Sequence, residues 1–406
     1  MGYQLIWLNR FPEAFATYTR GLQILGDHRS RARAMLVAST GLLTGFAGQY
    51  DAGYAQLREA EDIGTALEDE LSVGLASWGR CVVDWSFGHL ADAIAAGRYA
   101  VERLRTTNEL TMLADALAWL SFPLGGTAAY AEGAAAAQEA LELSQRAGHI
   151  SGEVLARRGL LLNRTPLDGD LEVLERGVRK DLELCLSFNS PWSSQSYAWI
   201  AVVLTLRGQL DEALAMADAA IAIEPMSAWS GVGWASRVLN RTYARDTAAV
   251  DEMVREQLDV LTAIADPPLM GQVEMLRVAA EAGAVLGRRE WCEALYPKLE
   301  AEAERVPVQP FDWALSERIA GMVAAGAQDW ERAAQHFETA LEQATTFPVA
   351  LEQPQVRYAY AQMLADRGGP DDRARARDLA GAAVDGYRRL GIPVRLAMAE
   401  DLLRRL

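Results

Sequence analysis

A repeat of about forty residues constrains this chain more than any other feature of its sequence. With Ala14, Gly53, Ala93, Gly133, Ala213, Ala294 and Ala333 as anchors, the third residue before each is large and apolar: Phe11, Tyr50, Leu90, Tyr130, Leu210, Trp291 and Trp330. The seventh residue after each is small, as in Gly21, Ala60, Ala100, Ala140, Ala220, Ala301 and Ala340. The twelfth before is small again, as in Gly2, Gly41, Cys81, Ser121, Ala201, Ala282 and Gly321. The anchors fall 39, 40, 40, 80, 81 and 39 residues apart, so each doubled gap holds one degenerate copy. Leu174 anchors the first of these, with Leu171 and Asp181, and Met253 the second, with Val250 and Val260. A tenth unit around Ala376 follows an insertion at Gly368-Gly369-Pro370. Ten units account for residues 1–406 as one solenoid and leave no room for a separate catalytic domain.

Each unit reads as two helices. Offsets of three, four and seven keep residues on one helical face, and strand alternation is nowhere sustained. The run from Gln209 to Ile221 is the clearest helix, with Gly208 before it and Pro225 after it. Small residues at fixed places let neighbouring helices approach closely, and the large residue three positions earlier fills the adjoining gap. Such pairs cannot bury a core alone and stack into a superhelix. The expected fold is therefore all-α, an α-solenoid of about ten helix pairs.

Charge narrows the partners. The 39 Lys+Arg against 55 Asp+Glu give a net charge of -16, a field that repels nucleic-acid phosphates and anionic lipid. Cys81, Cys185 and Cys292 are too few and too scattered for a disulfide framework or a CxxC site, which fits a reducing cytoplasm. The opening Met1-Gly2-Tyr3-Gln4-Leu5-Ile6 lacks the cationic start of a targeting peptide and the Ser or Thr of a myristoylation signal. Thr111–Ala131 and Leu184–Leu206 are the most apolar stretches, but Pro123-Leu124-Gly125-Gly126 and the serines after Asn189 interrupt them. Each reads as a helix, a turn and part of a second helix, not as a membrane span.

The segment Gly208-Gln209-Leu210-Asp211-Glu212-Ala213, with Ala217, Ala220 and Pro225, resembles the second half of a tetratricopeptide repeat. Gln328-Asp329-Trp330-Glu331-Arg332-Ala333, with Phe337 and Ala340, is a second such copy. Between Leu286 and Leu390, the runs around Trp291, Phe337, Tyr358 and Arg375 are similar to the helical-repeat tail of multidomain bacterial signalling ATPases, both cyclase-type and LuxR-type. That resemblance implies a regulatory module that binds protein or peptide, or a small-molecule effector. The chain begins inside a repeat helix and ends at Leu402-Leu403-Arg404-Arg405-Leu406 without a helix-turn-helix, which implies a fragment or a reduced member of the group. A free-standing adaptor is the alternative.

The search for chemistry returns mainly negatives. No G-x-x-x-x-G-K-[ST] supplies a phosphate cradle, and Gly231-Val232-Gly233 lacks the third glycine of a dinucleotide fingerprint. His28, His89, His149 and His336 are too dispersed for a metal site and read as helix-end or surface residues. Asp371-Asp372 reads as a helix cap after Pro370, where carboxylates suit the positive end of the dipole. Arg373, Arg375, Arg377, Arg388, Arg389, Arg404 and Arg405 form a basic end, either solvated helix faces or a dock for an acidic partner. The expectation is a protein that is not an enzyme and holds no cofactor and no metal.

Eleven tryptophans exceed what a helical scaffold requires. Trp291 and Trp330 occupy the large packing position. The tetratricopeptide resemblance places Trp78 and Trp85, seven apart on a first helix, on the concave groove, and Phe46 and Phe122 on the same groove in the flanking units. Together they imply an aromatic strip open to a partner. The plainer alternative is that these rings pack between helices, and the faces of Trp192, Trp199, Trp229 and Trp234 cannot be assigned from spacing.

Overall fold

Twenty helices follow one another in antiparallel pairs in this computed structural model, which describes residues 5, 8, 10–223 and 227–406. Gly2, Ile6 and Pro225 lie outside the described residues. The first half runs α1 (Phe11–Leu25), α2 (Arg31–Phe46), α3 (Tyr50–Ala66), α4 (Glu70–Ser86), α5 (Leu90–Leu104), α6 (Leu110–Gly126), α7 (Tyr130–Ala147), α8 (Ile150–Asp168), α9 (Leu171–Ser187) and α10 (Ser193–Leu206). The second runs α11 (Leu210–Ile223), α12 (Val232–Tyr243), α13 (Thr247–Ala263), α14 (Met270–Leu286), α15 (Arg289–Arg305), α16 (Ser316–Gly326), α17 (Trp330–Thr346), α18 (Glu352–Arg367), α19 (Asp372–Leu390) and α20 (Pro393–Arg405). The fold is an all-α superhelix of the tetratricopeptide type.

The odd-numbered helices carry the anchors and form an outer layer. The even-numbered helices pack against one another in sequence, α2 on α4, α4 on α6, α6 on α8, and again from α10 through α18. They make the inner layer and are buried along most of their length, as in α4 and α10. The turns of one superhelical turn rest on residues at the helix ends of the next. Leu269 sits beside the Gly48 turn, Val306 beside Gly88, and Pro393 beside Gly208. Among the described residues no helix is long and apolar enough to cross a membrane. Pro123 lies inside α6, which runs on to Gly126, so the break expected there falls three residues later, before Tyr130.

Eight anchors, Ala14, Gly53, Ala93, Gly133, Leu174, Ala213, Ala333 and Ala376, are buried where outer and inner helices cross. Two units are in a different register from the one read in the sequence. Met253 is half-buried, and Val250 holds the packing position at the third residue past the start of its helix, followed by Val254 and Leu261. Ala294 is exposed, and Cys292 takes its place against Gly326. In both units a bulkier or polarizable residue occupies the crossing, so a search for small residues slipped to the nearest alanine or methionine. Asp371 also does not cap α19 through its side chain. Asp372 instead accepts from the Gly369 N–H at 2.8 Å and from Arg367 at 2.8 and 2.6 Å.

The tightest crossing joins α2 and α3. A Cβ on Gly53 would stand 2.5 Å from Gly45 N and 2.7 Å from Gly41 O, both backbone atoms that cannot swing aside. Overpacking of this kind costs about 1–3 kcal/mol, which outweighs the gain of roughly 1 kcal/mol in helix propensity from Gly to Ala. Gly53→Ala is therefore expected to lower the unfolding free energy. Gly381→Ala, in α19 with no atom within 4 Å of the new methyl, is expected to raise it. Urea melts of the two variants check this, and two shifts of the same sign would refute the close backbone crossing.

A buried ionic cluster fills the inner layer of the second half. Arg277 contacts Glu274 at 2.8 Å, Glu281 at 3.4 Å and Asp312 at 3.0 Å. Arg318 pairs with Glu352 at 2.7 Å, and Arg395 reaches Glu281 at 3.5 Å from α20. Tyr243 donates its hydroxyl to Glu281 at 2.5 Å. Four carboxylates thus meet three guanidiniums, all buried. Burial raises the Glu274 pKa to about 7; Arg277 pulls against the rise, while Asp312 and Glu302 add to it. A folded pKa above the unfolded one favours folding while the proton is bound. That stabilisation is complete below the ordinary carboxylate range and is lost as pH climbs through about 7. Denaturant titrations at pH 5 and pH 8 should show wild type losing roughly 1–3 kcal/mol more than Glu274→Gln, which mimics the protonated acid. An identical pH dependence in both proteins would count against a proton held there.

Candidate functional site

The inner layer of the first half closes around a cavity with about 110 Å³ of room for water-sized centres. Its walls come from successive even-numbered helices, because the inner face of each presents a large side chain near its C-terminal half. α2 supplies Leu42, Leu43 and Phe46, and α4 supplies Trp78, Val82 and Trp85. α6 supplies Trp119 and Phe122, and α8 supplies Leu155, Arg158 and Leu162. Trp192, Gln195 and Trp199 close it from the start of α10. Two connecting segments complete the wall with Trp229 and with Pro310 and Phe311.

All four groove residues read from the sequence, Phe46, Trp78, Trp85 and Phe122, therefore line one cavity. The open strip implied for them is corrected, however. Trp78 is 4% exposed and Trp85 is 0% exposed, so these rings are packed inner walls of the cavity and not a surface strip. The half-buried residues, which frame its mouth, are Leu42, Trp119, Phe122, Gln195 and Trp229. The reason is the two segments after α11 and α15, which enter the superhelix and cover the concave face.

Those segments are fixed by long-range bonds. Trp199 Nε1 donates to Phe311 O at 2.6 Å, and Trp313 Nε1 donates to Leu162 O at 3.1 Å. Val308 N donates to Gly126 O at 3.3 Å, and Gly271 N to Ala228 O at 2.8 Å. Trp313 holds φ at 56°, a left-handed conformation that is strained for a bulky residue, and it stacks on Trp199 with centroids 6.1 Å apart. From the mouth inward the rings touch in series. Trp119 meets Phe122 at 5.4 Å, Phe122 meets Trp85 at 6.3 Å, and Trp85 meets Trp229 at 6.3 Å. Trp229 meets Phe311 at 5.9 Å, and Phe311 meets Trp199 at 5.8 Å. These separations lie in the range where aromatic pairs attract beyond their buried area.

One wall is polar. The buried Arg158 guanidinium donates to Asp181 at 3.1 and 3.2 Å, to Gln195 Oε1 at 2.5 Å, to Trp192 O at 3.1 Å and to Ser196 Oγ at 3.2 Å. Burial works against its charge, but Asp181 and Cys185 more than compensate, and its pKa stands above the ordinary value. The pair presents a neutral, ordered polar edge to an otherwise apolar space. The Trp85 indole N–H has no acceptor among the described residues.

The remaining chemistry-bearing residues are engaged elsewhere. Cys81, Cys185 and Cys292 are buried, and burial pushes all three thiols up, Cys185 to about 11 and Cys292 to about 12. His149 faces Asp115 at 2.9 Å and His336 faces Glu317 at 2.6 Å, each within its own helix packing. Among the described residues no group of three or more His, Cys, Asp or Glu has a metal-holding arrangement. At the basic end, Arg373 and Arg377 both donate to Leu406 O, Arg375 pairs with Glu338, Arg388 with Glu400, and Arg404 and Arg405 with Asp401. Those are the solvated helix faces of the plainer reading.

The sequence analysis missed Trp119, Trp199, Trp229, Phe311 and Arg158 as wall residues. Trp119 and Trp199 each stand fourteen residues before their anchors Gly133 and Ala213, a column that could have been read. Trp229 and Phe311 belong to connecting segments that the repeat does not describe.

The helix pairing and inner layer define a tetratricopeptide-like helical-repeat protein. Among solved structures, a Rap protein complexed with competence and sporulation factor superposes with a TM-score of 0.56 at 15% identity, covering 85% of this chain and 96% of that one. Yeast Tom70 aligns over 99% of this chain and 88% of its own at 12% identity, with a TM-score of 0.40. The first likeness is one of fold. No family model and no curated protein sequence matches the chain.

The walls carry a testable consequence. Truncating a buried tryptophan to alanine typically costs about 3–5 kcal/mol. Trp85→Ala is expected near the top of that range and Trp119→Ala, at the mouth, well below it. Thermal melts decide this, and an unchanged midpoint for Trp85→Ala would mean that the cavity wall is not where the fold puts it.

Proposed function

We propose that this chain is a non-catalytic binding module whose aromatic cavity takes one bulky apolar group from a partner. The observation that carries the reading is a cavity of about 110 Å³ ringed by six tryptophans and three phenylalanines and open through half-buried rings. Protein cores ordinarily close up to leave few voids larger than a water, since an unfilled wall forfeits dispersion contacts. A well-formed apolar space with one ordered polar edge matches the usual anatomy of a ligand site. The occupant is an apolar side chain of a peptide or protein, or a small-molecule effector of the same shape and polarity. A neighbour of the same fold complexed with competence and sporulation factor supports ligand binding by such a superhelix.

The finer reading is a cytoplasmic regulatory tail of a bacterial signalling ATPase, and it is supported only by the residues between Leu286 and Leu390. An ATPase reading frame continuous with Met1 would support it, and an isolated gene would favour the adaptor.

Burying a Leu or Phe side chain contributes about 1.5–3 kcal/mol, or roughly a ten- to hundredfold change in affinity. Pentapeptides differing only at a central Trp, Leu, Ala or Lys should bind in an order set by apolar size, read by fluorescence anisotropy. Leu42→Trp, which narrows the mouth, should erase that order while leaving the melting temperature near wild type. Equal affinities for the Leu and Lys peptides would end the proposal.

A further inference from the structure

Where the side chains of the aromatic cavity are polar at all, they are almost wholly donors. Its Leu, Val, Phe and Pro residues carry no polar side-chain group, and its Trp and Arg side chains donate only. Among the described residues that line it, Gln195 has the one side chain able to accept, and its Oε1 already accepts from Arg158 at 2.5 Å. Two backbone carbonyls of the irregular wall are engaged as well. Trp192 O accepts from Arg158 at 3.1 Å and Phe311 O from Trp199 Nε1 at 2.6 Å.

The donors outnumber these acceptors. Trp85 is 0% exposed, and its indole N–H has no acceptor among the described residues, an arrangement that costs free energy unless something else accepts. A Cβ on Gly126 would stand 3.3 Å from Cζ3 of that indole, so the six-membered ring faces α6 and the nitrogen lies at the opposite edge. The second set of donors is at the polar edge. Arg158 Nε spends its hydrogen on Asp181, and Nη2 meets Trp192 O and Ser196 Oγ. Nη1 carries two hydrogens and meets only Gln195 Oε1. The Gln195 amino group likewise meets no acceptor among the described residues.

Charge, by contrast, is balanced. Asp181 is fully buried and faces the Arg158 guanidinium at 3.1 and 3.2 Å, and among the described residues no other charged side chain lines the space. An anion placed there would add a negative charge near Asp181 with no cation of its own. Burying an uncompensated carboxylate costs more than a hydrogen bond returns.

We infer that the cavity takes an uncharged apolar small molecule with an acceptor-only oxygen, of the ketone, ester or ether kind, which receives an N–H from Trp85 or from the Arg158–Gln195 edge. The inference rests on the reading of the cavity as a binding site and decides between the two occupants named for it. Peptide side chains fit the wall poorly. Apolar ones bring no acceptor beyond the weak thioether of methionine, neutral polar ones bring a donor with it, and Asp and Glu bring a charge.

The test titrates three probes into the full chain by calorimetry near neutral pH: acetophenone, isopropylbenzene, which has the same outline without the oxygen, and ionised benzoate. Acetophenone should bind roughly five- to tenfold tighter than isopropylbenzene, with benzoate weakest. Trp85→Phe keeps a ring and removes one donor. Gln195→Glu keeps the outline and gives the spare Nη1 hydrogen an acceptor. The preference for acetophenone should shrink in at least one of these variants and vanish in the double variant. Because it is a ratio of two ligands on one protein, general loosening of the wall does not mimic its loss. Equal binding of acetophenone and isopropylbenzene to wild type overturns the inference and leaves the cavity a binding site. A preference that survives the double substitution, or benzoate as the tightest probe, overturns it too. Binding of none of the three removes the site itself, and the inference with it.

Discussion

Close approach of backbones at the helix crossings is the constraint on which this structure depends. Where Gly53 meets Gly41 and Gly45, no side-chain atom separates the two helices. Gly326 solves its crossing differently, with the Cys292 thiol lying against it where a Cβ would stand. Such contacts set how steeply each pair turns relative to the last, because a larger residue at the crossing would splay the pair and widen the superhelix. A steep turn brings distant units together, and Leu269 at Gly48, Val306 at Gly88 and Pro393 at Gly208 are the result. The concave face of this superhelix is therefore largely an interior.

An interior must be filled, and the two halves fill it with different chemistry. The first half uses rings, which bury large apolar area and touch edge to face or stacked without close-packing every gap. The second half uses a charge cluster from Glu274 to Arg395, in which each guanidinium has a carboxylate partner. Removing one member of such a cluster leaves an uncompensated buried charge, a far larger cost than the intact pair returns. The cluster therefore specifies how α20 seats on α14 more than it adds net stability.

Much of this was legible in the sequence, for a physical reason. A repeat protein solves the same packing problem at each unit, so the small residue at a crossing recurs with the period of the chain. Ala93, Gly133 and Ala213 could be read as buried without any structure. The reading failed where the crossing was solved differently, by Val250 and by Cys292, because the search was for smallness and the physical requirement is only fit. Phe46, Trp78, Trp85 and Phe122 converge on one cavity because each lies on the inward face of an inner helix, Trp78 and Trp85 two turns apart on the same one. Their enclosure was not legible. It depends on Trp229 and on Phe311 and Trp313, the last two held by hydrogen bonds across 112 and 151 residues, and no local pattern encodes such a contact.

In a periodic structure, the departures from the period carry the most information. Local rules, packing and turn chemistry agree through most of the chain, and a sequence tends to break such agreement where another demand outweighs it. Among the described residues, non-glycine side chains stand at positive φ at Glu68, Ala128, Asn189, Arg245, Trp313 and Gln328. The strained Trp313 stands in the segment that covers the aromatic cavity, and Arg245 and Gln328 replace glycine in turns from an even-numbered helix to the next odd one. Ala128 is the third such replacement. Ala128, Arg245 and Gln328 are all unbranched at Cβ and carry the same kind of clash at positive φ. The repeat makes the scaffold, and the segment that carries Trp313 departs from it to close one side of the aromatic cavity.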